Sequence, residues 1–260
     1  EALVNKKRIC LFNERKINLA RDKVLSRSLI LKNAKKEFLK KGFEKASMRT
    51  IASLSGLTVG AIYRHFTSKD ALFEALVQPT LEGAVNLFKI ELELASKKLK
   101  DINMKDGSYI ESPDANVGVL KMLDYIYDNY DDFVLMFRCG QGTKYENIQE
   151  FFVDMEVEGS KVYIEAMEAC GLVKNPFTET ELHIFCTMSM TPLFEVINHK
   201  YDYEEAVKMV KVMSYGQYWA WNKICLLGNS RQDLPSNKFE ASKEFERNEL
   251  AGMGDDIETG

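Results

Sequence analysis

The sequence predicts an all-α fold in which a small N-terminal helical domain precedes a larger helical domain. From Ser28 onward apolar residues recur at the spacing of helix faces, and no stretch sustains the alternating pattern of a strand. The 260 residues contain five prolines, which favours long helices. A chain of this length can bury a substantial core in one or two domains.

The first regular helix is expected after a basic extension, residues 1–26, which is either helical or poorly ordered. Ile30, Ala34 and Phe38 stand at i, i+4 and i+8, so they share one face of a helix. Gly42 follows where a helix needs a C′ residue in the left-handed region. The first helix is therefore expected to end at this glycine.

Three further helices are expected in quick succession. Ser47 is a good N-cap for the second helix, and Gly56 ends it. Thr58 begins the third helix. Ser68 caps the fourth, which has Asp70 in its first turn, where the helix dipole favours an acid. These short helices complete a first domain over residues 27–77.

The rest of the chain predicts longer helices. A long amphipathic helix is expected after Pro79, followed by a polar loop over 101–118. One or two helices then reach Arg138, a break follows at "CGQGT", and another long helix spans 144–170. The last two helices are expected near 179–199, with a kink at Pro192, and over 203–227. These elements form a second domain over 78–227, and the polar residues 228–260 predict a mobile tail.

The charge of the chain is divided unevenly. Residues 1–70 hold 17 Lys and Arg against 6 Asp and Glu, whereas the remainder holds 18 basic and 33 acidic residues. A basic end on an acidic body favours contact with a polyanion. A solvated, lysine-rich helix face is the alternative for a bare charge run, and a motif is needed to decide between them.

A helix-turn-helix supplies that motif. Two short helices, 47–55 and 58–66, are separated by a tight turn at Gly56, and in this arrangement the second helix enters the DNA major groove with its N-terminus leading. Small residues at that end let the backbone approach the bases, and the donors that follow suit base edges and phosphates. The predicted DNA contacts are Arg49, Thr50, Thr58, Val59, Gly60, Tyr63, Arg64, His65 and Lys69.

Residues 27–77 closely resemble the DNA-binding domain of TetR-type transcriptional regulators. The resemblance is carried by an ordered set of motifs: A-x-x-x-F and K-G-F, then T-I-A, then "GLTVGAIYRHF", then S-K-x-x-L. It implies three DNA-binding helices, with family contact positions at all the residues named above except Arg64. It also implies a larger helical domain that pairs through its last two helices and usually holds an effector pocket. The basic extension and the tail depart from a minimal member of the family.

An aromatic and methionine-rich set marks the second domain. Most of it is expected to be plain core, but such side chains also line pockets for apolar ligands because methionine adapts its shape. The predicted lining residues are Phe133, Met136, Phe137, Phe152, Met155, Met167, Phe185 and Met188. A small, mostly apolar effector is expected, and the acidic charge of the remainder slightly favours neutral or cationic molecules over anions.

The last helix is apolar on more than one face, which predicts burial on two sides. One side is expected to lie against a second subunit, with Val212 and Trp219 at the interface of a homodimer.

Other classes of site and of protein are disfavoured. His183 and Cys186 stand one helical turn apart, but the sequence places no third ligand beside them, so packing is favoured and no metal is predicted. Five cysteines without a CxxC indicate reduced thiols, and a thiol sensor remains a minor alternative. No phosphate-binding glycine loop, nucleophile elbow or membrane span is present, so an enzyme, a cofactor and a membrane partner are not expected, and a cytoplasmic protein is.

The sequence thus predicts a homodimeric repressor that binds double-stranded DNA at an inverted-repeat operator and is released by a small effector. Two alternatives remain open. One is an activator of the same build. The other is a DNA-bound protein-interaction factor without a small ligand.

Overall fold

The computed structural model describes the backbone of residues 2–101, 117–169, 171, 173 and 177–225, and most side chains from residue 22 onward within these ranges. The predicted loop over 101–118 falls almost wholly outside the described residues, as does the predicted tail over 228–260. Within the described part every regular element is a helix, so the all-α prediction is confirmed.

Nine helices follow one another in the described residues. They are α1 (Ala2–Lys45), α2 (Met48–Leu54), α3 (Val59–Tyr63), α4 (Lys69–Asp101), α5 (Val117–Asp128), α6 (Tyr130–Cys139), α7 (Ile148–Ala169), α8 (Glu179–His199) and α9 (Tyr203–Cys225). The one or two helices expected before the break at "CGQGT" are two, α5 and α6. Helix α8 continues on both sides of its buried Pro192.

The basic extension is helical, which is one of the two forms expected for it. Helix α1 runs without interruption from Ala2 into the first predicted helix. Gly42 has the positive φ expected of it, at 74°, but its ψ of 165° lies far from the left-handed helical region. Only glycine adopts this combination without strain. Gly42 therefore bends the chain away from α1, and one short turn leads on to Lys45.

The caps predicted for the short helices are present. Ser47 Oγ accepts from the Thr50 N–H at 3.4 Å, Thr58 Oγ1 from Ala61 N–H at 3.1 Å, and Ser68 Oγ from Ala71 N–H at 3.0 Å. Gly56 has a φ of 64° in the turn between α2 and α3. The third helix is shorter than predicted, since α3 ends at Tyr63 and a turn continues to Phe66.

The prediction of a helix boundary at Pro79 is wrong, because α4 continues through this proline as one helix of 33 residues. Proline removes one backbone hydrogen bond, so the helix needs tertiary support on both sides of it. The buried Thr80 supplies it: its Oγ1 donates to Asp132 at 3.1 Å and its carbonyl accepts from Tyr125 Oη at 3.0 Å. Val77 and Ala84 are fully buried on the same face.

One main core joins the two predicted domains. It begins with Ile30, Ala34 and Phe38 of α1, all fully buried as the spacing predicted, and continues into α4, α6 and α8. Helix α6 packs against α1, and Lys35 of α1 forms a salt bridge with Asp132 of α6 at 2.5 Å. The position of the helix-turn-helix is therefore set by the larger helical part as well as by its own helices.

Candidate nucleic-acid interface

Helix α1 supports the helix-turn-helix from behind. Ile51 of α2 and Ile62 of α3 are fully buried against it, and Phe66 is 4% exposed. These inward-facing residues leave the opposite faces of α2 and α3 directed to solvent.

Asn33 of α1 fixes the turn between the two short helices. Its side chain is buried, and its Nδ2 donates to the carbonyl of Leu54 at 3.1 Å and to Ser55 Oγ at 3.1 Å. A buried amide with both donors satisfied holds its partners in one geometry. Sequence reasoning missed this residue, because an asparagine in a helix gives no sign of a partner twenty residues away.

Glu37 of α1 holds the start of α2 in a similar way. Its buried carboxylate accepts from the Ser47 N–H at 3.2 Å and from Lys41 Nζ at 2.9 Å. Burial opposes ionisation of Glu37, but the bonds from Lys41 and Ser47 outweigh it and lower the pKa of the carboxyl group below its ordinary value of 4.5. The ionised form is therefore the one that the fold stabilises.

Replacing Glu37 with glutamine should lower the free energy of unfolding at pH 7. Because the folded-state pKa is depressed, the contribution of the carboxylate is complete above its ordinary pKa of 4.5 and is lost as the pH falls through the lower folded-state value. Urea unfolding of both proteins between pH 7 and pH 3 measures this. If the difference in free energy of unfolding between the two proteins stays constant from pH 7 to pH 3, the charge of Glu37 does not contribute to stability.

The leading end of α3 is open, as a DNA-reading helix requires. Thr58 and Gly60 are exposed, and a Cβ placed on Gly60 would meet no atom within 4 Å. Val59 is half-buried. One turn further, Tyr63 is 46% exposed. These four predicted residues lie on one accessible surface.

The basic candidates surround that surface. Arg49 and Arg64 are exposed, Thr50 is half-buried, and among the described residues no salt bridge engages either arginine. Their guanidinium groups are free of an acidic partner there and available to an anion.

Arg27 of α1 holds the C-terminal side of the third helix. Its guanidinium carbon lies 4.4 Å from the centroid of the Phe66 ring, and its Nη1 donates to the His65 carbonyl at 3.4 Å. Sequence reasoning missed this contact, because Arg27 counted only as one of the basic residues among the first 70.

Burial lowers the pKa of His65, and the nearby charges of Lys23, Arg27 and Arg64 lower it further. Four basic groups thus converge at this corner, which favours an anion beside it. A phosphate there would raise the pKa of His65 again.

Lys69 is held by the protein itself. Its ammonium donates to the Glu44 carbonyl at 3.1 Å and lies 4.5 Å from the centroid of the Phe43 ring, and its partial burial lowers its pKa. An ammonium group has three donors, so Lys69 can bind a phosphate as well as the carbonyl.

The structure separates the predicted effector-lining residues into different surroundings. Phe133, Met136, Phe137, Phe152 and Met155 are packed in or against the main core, and the fully buried Met167 lies further along α7. Phe185 packs on Trp221 and Phe177 in a second, smaller cluster. Met188 is 58% exposed. Their assignment to one effector pocket stays a prediction.

A groove of about 510 Å³ lies elsewhere, between α4 and the start of α7. Its apolar walls are Leu81 and Val85 on one side and Ile148 and Phe151 on the other, and Lys89 and Lys144 stand at its edge. None of the eight predicted residues lines it. The pattern of the sequence could not reveal the groove, because its walls come from segments 60 residues apart.

Both α8 and α9 carry exposed apolar side chains, which together are called the apolar surface of α8 and α9. It consists of exposed side chains on both helices: Ile184, Met188, Val212, Met213, Tyr215 and Trp219, of which Val212 is 71% exposed. The opposite side of α9 is buried in the core through Ala206 and Val210. The helix is therefore apolar on two sides, of which one is covered within the chain.

Two cysteines lie among the described side chains, and both are free and buried. Burial raises the pKa of Cys139 and raises the pKa of Cys186 to about 11. Because the thiolate is the reactive form, neither of these two suits a thiol sensor.

Comparison with known proteins bears on this arrangement. Residues 30–76, which comprise the supporting part of α1, the helix-turn-helix and the start of α4, match the family model for bacterial regulatory proteins of the tetR family. Over these residues the chain is similar to the tetR family. Its resemblance to TetR-type DNA-binding domains is thereby confirmed.

Two curated relatives extend the finding. A transcriptional regulator of Bacillus subtilis (strain 168), YerO, is 29% identical over 140 residues, which are 53% of this chain and 44% of that protein. A transcriptional repressor of Mycobacterium tuberculosis is 41% identical over 56 residues, which are 22% of this chain and 30% of that protein. The chain thus matches less than half the length of each. Both relatives are described as helix-turn-helix transcriptional regulators.

One solved structure aligns with most of this chain. NalD, described as the secondary repressor of the MexAB-OprM multidrug efflux pump in Pseudomonas aeruginosa, is 18% identical and aligns over 75% of this chain and 97% of its own, with a TM-score of 0.47. Among the described residues, no helix is long and apolar enough to cross a bilayer.

Proposed function

We propose that this TetR-family regulator is a homodimeric repressor that binds an inverted-repeat operator and releases it when a small, mostly apolar effector binds. The observation that carries the proposal is the open leading end of α3, whose small residues Thr58, Val59 and Gly60 are backed by a buried, capped scaffold. A helix presented in this way can bring its backbone against base edges.

A dimer follows from the size of the recognition surface. Helix α3 has five residues and reads one half-site at most, so specific binding needs a second copy. In helix-turn-helix dimers the two recognition helices lie about 34–36 Å apart, in successive major grooves of an inverted repeat. The exposed apolar surface of α8 and α9 is the part of the molecule that suits the two-fold contact.

Tyr63→Ala should weaken binding to the operator far more than binding to unrelated duplexes, because Tyr63 is placed to reach a base methyl or the adjacent phosphate of the chosen site. Lys69→Ala should weaken both and flatten the salt dependence by about one phosphate contact. The operator is first selected from a random duplex pool, and affinities are then measured at several salt concentrations.

Lys97→Ala is the matched control, since this exposed lysine lies near the far end of α4, away from both the helix-turn-helix and the proposed dimer interface. It should leave both affinities and the salt dependence unchanged. A wild-type protein that selects no sequence from the pool would contradict the repressor proposal.

For the effector we infer the groove between α4 and α7. Its volume of about 510 Å³ lies in the range of pockets for drug-sized ligands, and its apolar walls with a few polar groups at the edge suit a mostly apolar molecule. Of the two lining lysines, Lys144 is already paired with Glu74 at 2.5 Å, and the charge of Lys89 is balanced by the lining Glu82, so the groove offers little net charge to an anion. This agrees with a neutral or cationic effector.

Val85→Trp should fill the groove and block effector release while operator binding persists. Lipophilic cations, neutral apolar compounds and fatty acids are screened by thermal shift, and operator release is measured with each hit. An effector should raise the melting temperature and lower operator affinity in the wild type but not in the variant. Val162→Trp, at an exposed position on α7, is the control. Release that persists in Val85→Trp would exclude this groove.

An activator of the same build remains the second candidate, because a repressor and an activator can bind DNA through the same helix-turn-helix. The position of the selected operator relative to the promoter decides between them. If no compound of the three classes binds, the DNA-bound interaction factor without a small ligand is favoured instead.

A further inference from the structure

We propose that Glu150 and Asp154 of α7 and His183 of α8 form a binding site for a divalent transition-metal ion. One ligand atom from each of the three side chains lies within 4.8 Å of the other two. The sequence contained part of this site, because His183 stood out as a possible ligand, but it showed no third group beside it.

The two helices bring the donors together by simple geometry. Glu150 and Asp154 are four residues apart on α7, so they share one face one turn apart. Helix α8 packs along α7 more extensively than any other pair of helices among the described residues, and it places His183 against that face. The donors therefore come from two elements fixed by a packed interface.

The distances suit an ion of the first transition row. Two donors bound to one such ion at about 2.0–2.2 Å are at most about 4.4 Å apart. Exposed carboxylates and a half-buried imidazole can reach that separation from 4.8 Å by small changes of rotamer.

The donor chemistry narrows the class of ion. One imidazole and two carboxylates suit Zn²⁺, Mn²⁺, Fe²⁺, Co²⁺ or Ni²⁺, whereas Mg²⁺ and Ca²⁺ prefer sites made entirely of oxygen. Water would complete the coordination shell, because both carboxylates are exposed.

No other group competes for the two carboxylates in the described part of the chain. Every salt bridge found there involves other acidic residues, and no hydrogen bond to the Glu150 or Asp154 side chain is present. Two acids one turn apart with no cation repel each other, and a bound ion would remove that repulsion.

The bound ion would join α7 to α8. Helix α8 also packs on α6 and α9, so the ion would stabilise the region that carries the apolar surface of α8 and α9. The proposal concerns this site alone and does not depend on the effector groove.

The test is titration of the full chain with Zn²⁺ by calorimetry and with Co²⁺ by visible absorption, in a buffer free of chelators. Wild type should bind one ion per chain, and Zn²⁺ should raise its melting temperature. Asp154→Asn and His183→Gln should each weaken binding at least tenfold, since loss of an outer-shell partner alone costs a metal site about 10–100-fold. The Co²⁺ spectrum should show nitrogen and oxygen ligands without thiolate charge transfer.

His199→Gln is the matched control. His199 also lies beside a carboxylate, with its Nε2 3.1 Å from Glu195 on the same helix, but it has no third ligand group among the described residues. This variant should bind as wild type does. Equal binding by all four proteins would mean an adventitious ion only, and a thiolate band in the Co²⁺ spectrum would move the site to the cysteines. Either result overturns the proposal.

Discussion

Replacing Val212 with aspartate is expected to convert the proposed dimer into monomers and to abolish operator binding with it. Val212 is the most exposed of the apolar side chains on α8 and α9. In a two-fold interface both copies would carry the new charge, desolvated and close to each other. A buried unpaired charge costs about 3–5 kcal/mol, so the dimer dissociation constant should rise by about two orders of magnitude or more.

Sedimentation at micromolar concentration measures the change in assembly, and operator binding is measured on the same samples. Ile90→Asp is the control, because Ile90 is an equally apolar, exposed residue on α4, outside the proposed interface. It should remain dimeric. A Val212→Asp protein that stays dimeric would place the interface elsewhere, and a wild type that is monomeric would remove the dimer from the proposal.

Phe73→Ala is expected to be the most destabilising of the single substitutions considered. Its ring is fully buried, edge-on to Phe38 at 5.2 Å and to Phe43 at 5.5 Å between centroids, and 5.9 Å from Tyr145. Truncating a buried phenylalanine to alanine costs about 3–5 kcal/mol through lost burial and the cavity that remains. Because Tyr145 belongs to the second predicted domain, the loss should reach both parts of the chain.

Chemical denaturation followed by circular dichroism checks this value. Leu54→Ala removes an apolar side chain of the same region that is 56% exposed, and it should change the free energy of unfolding by no more than about 0.5 kcal/mol. If Phe73→Ala and Leu54→Ala unfold at similar denaturant concentrations, the aromatic cluster does not hold the helix-turn-helix in place.

The local features of this fold were readable from the sequence because each depends on neighbours in the chain. Ser47, Thr58 and Ser68 cap helices through backbone groups three residues away. Ile30 and Phe38 are buried because their spacing matches the helix period. The helix-turn-helix was recognisable for the same reason, because its caps, turn and apolar spacing all lie within one short stretch of the chain.

The features that were missed depend on distant partners. Pro79 looked like a boundary, but Thr80 is held by Asp132 and Tyr125 about fifty residues away. Asn33 supports the turn between α2 and α3 through contacts more than twenty residues distant. No periodicity or cap motif encodes such pairings, so tertiary packing overrides the local expectation there.

Helix α4 connects the proposed effector groove to the helix-turn-helix, so under the proposed function it would act as a lever between them. Because the helix is continuous through Pro79, its first residue, Lys69, is rigidly tied to Val85 in the groove wall, about 24 Å away at 1.5 Å per residue. A rotation of about 5° at the groove would therefore displace the end next to the helix-turn-helix by about 2 Å. In a dimer both levers would turn, and the distance between the two recognition helices would change by up to twice that amount. A helix broken at Pro79 would absorb the rotation at the break, whereas the unbroken α4 would carry the rotation from the proposed effector groove to the helix-turn-helix.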